Sequence, residues 1–208
     1  LFKYVSYFFI GIAAGFMSGM FGIGGGTVRI PLLNLAGLPL LSAFAVNFFV
    51  IPFSSLVGAI SHRRNIVKHI VTFAIVAGVV GEIIGAILVG YIPTLFLAII
   101  YVTICFAAAV GINLGKIVPK LAQKIKPTRK NISVSSFVVS FVTGLRGGSG
   151  GQVFPAVFKS FGLETHQAIA TSLTVSIFTA LGAIGVYWQR GNIVWVPALV
   201  VLAGSVIG

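Results

Sequence analysis

The residues best suited to hold a ligand stand in two glycine clusters. The first reads Gly19-Met-Phe-Gly-Ile-Gly-Gly-Gly-Thr-Val-Arg-Ile-Pro31 and offers Gly24, Gly25, Gly26 and Thr27. The second, Gly144-Leu-Arg-Gly-Gly-Ser-Gly-Gly-Gln-Val-Phe-Pro155, lies about 125 residues later and offers Gly147, Ser149, Gly150, Gly151 and Gln152. Successive free backbone N–H groups form a concave nest that attracts anions. A helix starting just beyond the cluster adds partial positive charge. Glycine suits this role, because a side chain would disfavour positive φ and block close approach. The alternative is that the glycines only let helices cross tightly.

Two guanidiniums bracket these clusters. Arg146 is embedded in the second and Arg29 follows the first. Each could grip an oxyanion through two parallel hydrogen bonds; Arg29 could equally reach to the membrane interface. Asn47, Ser149, Gln152, Thr171 and Ser172 supply neutral hydrogen bonds, or polar glue between helices. Asn47 and Ser172 occupy matching positions in the two halves. Glu82 is the one acid inside an apolar span, flanked by Gly78, Gly81, Gly85 and Ala86. It is a candidate for carrying a coupling proton, for balancing an arginine, or for a protonated, structurally buried carboxyl.

Other chemistries are excluded or left without support. Neither cluster satisfies Gly-x-Gly-x-x-Gly or ends in the Lys-Ser/Thr of a phosphate-binding loop. With two acids, Glu82 and Glu164, paired-carboxylate catalysis has no basis, and no nucleophile–base pair is visible. The expectation is that the chain is not an enzyme. No His/Cys/Asp/Glu spacing suits a metal, and no cofactor is expected. His166 beside Glu164 reads as a helix-start residue, and His62 and His69 as solvated. The lone Cys105 permits no intrachain disulfide.

These residues must be positioned by membrane helices. The chain is 58% hydrophobic and 8% charged, with a mean hydropathy of +1.12. Soluble domains carry about 25% charged residues, so the solvent here is the lipid bilayer. Apolar segments fall near Tyr4–Ile23, Leu41–Ser61, Ile70–Gly90, Leu95–Gly115, Ser133–Arg146, Ala168–Trp188 and Ile193–Gly208. The expected fold is all-α: a polytopic bundle of about seven segments in two homologous repeats. Residues 1–115 form the first repeat, 116–131 a basic cytoplasmic loop and 132–208 the second repeat, cut short. The chain lacks an initiator methionine and stops inside an apolar run, as a fragment would. Gly11, Gly15 and Gly19, with Gly81–Gly85 and Gly111–Gly115, read as packing faces.

The net charge of +12 does not point to nucleic acid. Lys116, Lys120, Lys124, Lys126, Arg129 and Lys130 share one loop, and Arg63, Arg64 and Lys68 another. Such clustering marks cytoplasmic loops. Alternating seven crossings places these loops and Lys3 on one side, hence a cytoplasmic N-terminus in a plasma membrane. The same count makes the repeats parallel, unless a glycine segment re-enters.

The repeat extends past glycine. Gly37-Leu-Pro-Leu-Leu-Ser-Ala-Phe-Ala-Val-Asn47 aligns with Gly162-Leu-Glu-Thr-His-Gln-Ala-Ile-Ala-Thr-Ser172, and Arg64-Asn-Ile66 with Gly191-Asn-Ile193. Broken helices in corresponding halves point to a transporter's binding site. Together with Gly-Ile-Gly-Gly-Gly before Pro31, this pattern resembles the sulfite exporter TauE/SafE family over essentially the whole chain. The resemblance implies about eight helices in two related halves. It also implies secondary transport of small anions such as sulfite, thiosulfate, sulfonates or sulfoacetate. The halves differ: Arg146 and Ser149 match Phe21 and Gly24, Leu41 matches His166, and Val46-Asn47 match Thr171-Ser172. A proton-coupled carrier of another metabolite centred on Glu82, or a non-transporting scaffold, are the competing readings. The oligomeric state is open.

Overall fold

The structure is a computed structural model describing residues 2–21, 25–117, 126–148 and 150–208. At Phe2, at residues 19–21 and 107–117, and at Gln152 it describes backbone only. The helices are α1 Phe2–Phe21, α2 Gly26–Leu35, α3 Leu40–Ser61, α4 Lys68–Val89, α5 Thr94–Ile117, α6 Arg129–Leu145, α7 Phe154–Ser160, α8 Thr165–Gln189 and α9 Trp195–Ile207. No strand occurs among the described residues. Each of the seven apolar segments is a helix, and α2 and α7 are the short helices that follow the glycine breaks. Helices α3, α4 and α8 are long and apolar enough to cross a bilayer. At 1.5 Å per residue, 22 residues span about 33 Å. Their large apolar side chains, such as Val76, Val80, Phe178 and Leu181, face outward, while Ala74, Gly78, Gly81 and Ala180 face neighbouring helices. Outward apolar surface is what lipid demands.

The first glycine break turns the chain back. A Cβ on Gly25 would stand 3.2 Å from the Ala14 carbonyl oxygen, and Gly37, beyond the end of α2, lies beside Lys3. Helix α2 therefore descends along α1 to the end from which α1 started. The second break does the same: Val157, Ser160 and Phe161 at the end of α7 share a groove with Lys130, Asn131 and Val134 at the start of α6. Both glycine segments re-enter, and α1–α2 and α6–α7 are helical hairpins. A bend this tight needs residues that tolerate unusual backbone, and Gly147 takes φ +70°.

The hairpins point in opposite directions. Gly11 packs on Val201 and Gly204, and Gly15 on Ser205 and Gly208, so α1 and α9 run parallel. Gly78 meets Ser140, Gly81 meets Phe137 and Phe141, and Gly85 meets Phe141 and Gly144, so α4 and α6 run parallel. These are the glycine packing faces expected at Gly11–Gly15 and Gly81–Gly85. Helices α3 and α8 are antiparallel: Phe48 lies against Tyr187, Gly58 against Leu173, and His62 against His166. Matching positions share backbone detail. Gly37 and Gly162 both take φ +88°. The Leu38 N–H donates to the Leu33 carbonyl as the Leu163 N–H does to that of Phe158. Each pair is the same closing turn, 125 residues apart.

Re-entry overturns the strict alternation used to place the N-terminus. Lys3 lies at the end of the bundle where α9 begins, the end that also holds Arg190, whose guanidinium caps the Ala86 and Ile87 carbonyls. Arg63, Arg64, Lys68, Lys126, Arg129, Lys130 and Lys159 lie at the opposite end. The N-terminus and the basic loops therefore do not share a side. Two of the loop's lysines, Lys120 and Lys124, fall outside the described residues.

Candidate anion site between the hairpins

Arg29 sits one turn into α2, and the hairpin turns it inward, away from the interface. It is 2% exposed. Its Nη1 donates to the Asn47 side-chain oxygen at 2.7 Å and its Nη2 to the Ser205 hydroxyl at 3.0 Å. Ser205 in turn donates to the Gly11 carbonyl. Among the described residues only neutral groups hold this cation: neither Glu82 nor Glu164 is among its partners, and Nε has none.

Asn47 joins the hairpins. Its amide nitrogen donates to the Gly147 carbonyl at 2.9 Å, while its oxygen accepts from Arg29. Glycine is needed on both sides of this contact. A Cβ on Gly26 would come within 2.6 Å of the Asn47 amide nitrogen, and one on Gly147 would enter the Phe44 ring. Phe44 stacks on Tyr101 of α5, and the Tyr101 hydroxyl donates to the Thr27 carbonyl at 3.0 Å. Arg146, 3% exposed, donates from Nη1 to the Cys105 sulfur one turn along α5. Two buried guanidiniums, one from each hairpin, thus converge on Asn47, Phe44, Tyr101 and the backbone of Gly147. A guanidinium at membrane depth is costly and marks function by default.

The expected site residues divide. Gly25, Gly26, Thr27, Asn47, Arg146 and Gly147 come together at the junction of the two hairpins. Gly24 and Ser149 fall outside the described residues, as does the side chain of Gln152. Gly150 and Gly151 form a one-turn 3₁₀ helix with Gln152, where a Cβ on Gly150 would enter the Phe154 ring. Thr171 and Ser172 lie elsewhere. The Thr171 hydroxyl accepts from the Val67 N–H at the start of α4, and the Ser172 hydroxyl donates to its own helix at Ile169. Ser172 is level with Gly58 and Asn47 with Tyr187; the ten residues from Phe48 to Gly58 amount to about 15 Å of helix. Matching positions in antiparallel helices are carried apart, so Asn47 and Ser172 stand at different levels of the bundle.

The backbone nest is also revised. Gly25 has φ −54° and Gly26 is helical, so among the described cluster residues only Gly147 is left-handed. Side chains of Arg29, Asn47, Phe44 and Phe154 fill the space the glycines leave. Tyr101, Ser205, Cys105 and Phe44 were not recognisable in the sequence: none belongs to a motif, and Ser205 is 176 residues from the arginine it holds. Glu82 is fully buried one helix away, against Thr143 of the second hairpin.

The sequence profile of the family described as Sulfite exporter TauE/SafE matches residues 7–208. Relatives include a probable membrane transporter protein of Methanocaldococcus jannaschii, 32% identical over 136 residues. That match covers 65% of this chain and 43% of the relative. The probable membrane transporter protein YdhB of Bacillus subtilis is 27% identical over 97% of this chain and 84% of its own length. YfcA of Escherichia coli, also a probable membrane transporter protein, is 26% identical over 97% and 76%. No solved structure gives a significant match.

Proposed function

The chain belongs to the sulfite exporter TauE/SafE family, a family of integral membrane transporters, and from that premise we propose that it carries a small sulfur oxyanion or sulfonate bound between the hairpin tips. The observation that carries the proposal is Arg29: a buried guanidinium held by an amide and a hydroxyl, without a carboxylate. Burying an unbalanced charge costs several kcal/mol. An incoming anion restores neutrality, whereas a cation would meet two guanidiniums and be repelled. Sulfite, a sulfonate and sulfoacetate each present oxygens at a spacing a guanidinium can grip in pairs. Asn47 and Tyr101 then orient the ligand, and Phe44 closes its apolar side.

The opposed hairpins support two inverted repeats. Rocking one hairpin against the other about Asn47 would open the site to each side in turn. The charge asymmetry supports an orientation with the basic loops in the cytoplasm and the N-terminus outside. Single cysteines at Lys3 and Arg64, labelled from outside whole cells with an impermeant thiol reagent, test it. Label at position 3 and none at 64 supports this orientation; the reverse overturns it.

The function itself is tested by flux of radiolabelled sulfite and sulfoacetate into proteoliposomes holding the intact protein. Saturable uptake, lost in Arg29→Ala and in Arg146→Ala, supports the site. Uptake that survives in both variants removes the site. No uptake of either anion by folded protein removes this substrate class and favours a scaffold.

A further inference from the structure

A second buried polar cluster lies between α4, α6 and α8. Glu82 is 0% exposed, and its Oε1 has no hydrogen-bond partner. The hydroxyl oxygens of Ser136 and Ser140 on α6 and of Ser176 on α8 are likewise buried and without partners. Gly78, one turn before Glu82, admits this convergence: its missing Cβ leaves the Ser140 hydroxyl and the Thr179 methyl each 3.0 Å from that point. Ser140 also stands close enough to the Glu82 carboxyl to act on it. Orphaned polar atoms are rare in native interiors, and several on one face need an explanation.

Counting hydrogens narrows the explanation. The Thr143 hydroxyl has one proton, and its shortest contact, 2.9 Å, is to the Val139 carbonyl of its own helix. With its proton there, its oxygen stands 3.3 Å from Glu82 Oε2. That separation is long for a proton shared with a carboxyl, which brings oxygens to about 2.5–3.0 Å. It suits a cation held by both oxygens. Ligands at about 2.3–2.6 Å, as around calcium, a cation of nearly the radius of sodium, stand about 3.3–3.7 Å apart when at right angles. One carboxylate balances one positive charge; a divalent ion normally takes several. A lone proton would also leave the three serine hydroxyls unexplained.

We propose that Glu82, Ser140 and Thr143, with Ser136 and Ser176 around them, form a site for one sodium ion that travels with the anion. The site rests on the carrier reading but occupies different residues. Its connection to the anion site is the second hairpin: Thr143 touches Glu82, and three and four residues later Arg146 and Gly147 reach Cys105 and Asn47. Arg146 and, from α8, Tyr187 are the charged and titratable groups close enough to act on Glu82. An anion bound beside Arg146 offsets the repulsion that Arg146 exerts on the sodium ion, so each ligand strengthens the binding of the other.

The test is the thermal midpoint of the purified protein in sodium chloride against choline chloride, at fixed pH and ionic strength, without substrate. At sodium about 100-fold above its Kd the midpoint should rise by roughly 5 °C, and Glu82→Gln and Ser140→Ala should each lose that rise. Ser140→Ala removes no charge, so it keeps the test valid should Glu82→Gln fail to fold. Equal midpoints in the two salts for the unmodified protein, or a rise that persists in both variants, would overturn the proposal. Sulfite added in choline chloride reports the anion site separately, so a missing sodium effect leaves that reading standing.

Discussion

Arg29 and Glu82 are both buried within helices of a membrane protein, yet they are held in opposite ways. Arg29 is gripped by two neighbours, Asn47 and Ser205, which fix its plane while leaving its charge unbalanced. Glu82 has a 3.3 Å contact with the Thr143 hydroxyl, Ser140 nearby, and one carboxylate oxygen with no hydrogen-bond partner. The first centre is fixed at both terminal nitrogens but electrostatically open; the second is loosely held as well. A preorganised cation costs no rearrangement when an anion arrives. A loosely held carboxylate can close around a small cation and release it again. On the proposed reading the difference separates a recognition element from a coupling element, with Asn47 and Gly147 in the chain of contacts that joins them.

Substitutions can break that division, the largest effects first. Gly147→Leu drives a side chain into the Phe44 ring at a left-handed backbone position. Transport should fall at least about 100-fold, since misplacing a site by 1 Å costs that much; sulfite flux with insertion checked by expression level measures it. Arg29→Ala leaves Asn47 and Ser205 without their donor, and removing one partner of a buried charge costs about 2–5 kcal/mol. Half-saturation for sulfite should rise at least thirtyfold in a concentration series. Arg29→Lys should recover only part of this, because an ammonium is a point charge and not a fork.

Smaller effects sharpen the comparison. Asn47→Ala removes the bridge between hairpins but no charge; at about 1–3 kcal/mol for an unsatisfied partner, roughly tenfold weaker substrate binding is expected by equilibrium dialysis. Ser172→Ala, at the matching position in the other half, should change uptake less than about twofold, since its hydroxyl serves only its own helix. An effect of Ser172→Ala as large as that of Asn47→Ala would mean that the two halves form one symmetric site, against the division drawn here.

Part of this was legible without coordinates. The apolar runs specify membrane helices because lipid rewards nothing else, and Gly24–Gly26 and Gly147–Gly151 mark where helix must fail. The 125-residue spacing of Gly37 from Gly162 marks two like closing turns, and Gly11–Gly15 and Gly81–Gly85 announce close packing. These are local properties of composition and period, so the sequence carries them. Tertiary structure decided the rest. A break in a helix can continue across the bilayer or turn back, and the glycines permit both. The outcome depends on what the returning helix packs against, here Ala14 and Lys3 on α1. That choice reversed one half relative to the other, moved the N-terminus away from the basic loops, and separated Ser172 from Asn47. It also set Arg29 against Ser205, residues at opposite ends of the chain, which no periodicity could pair.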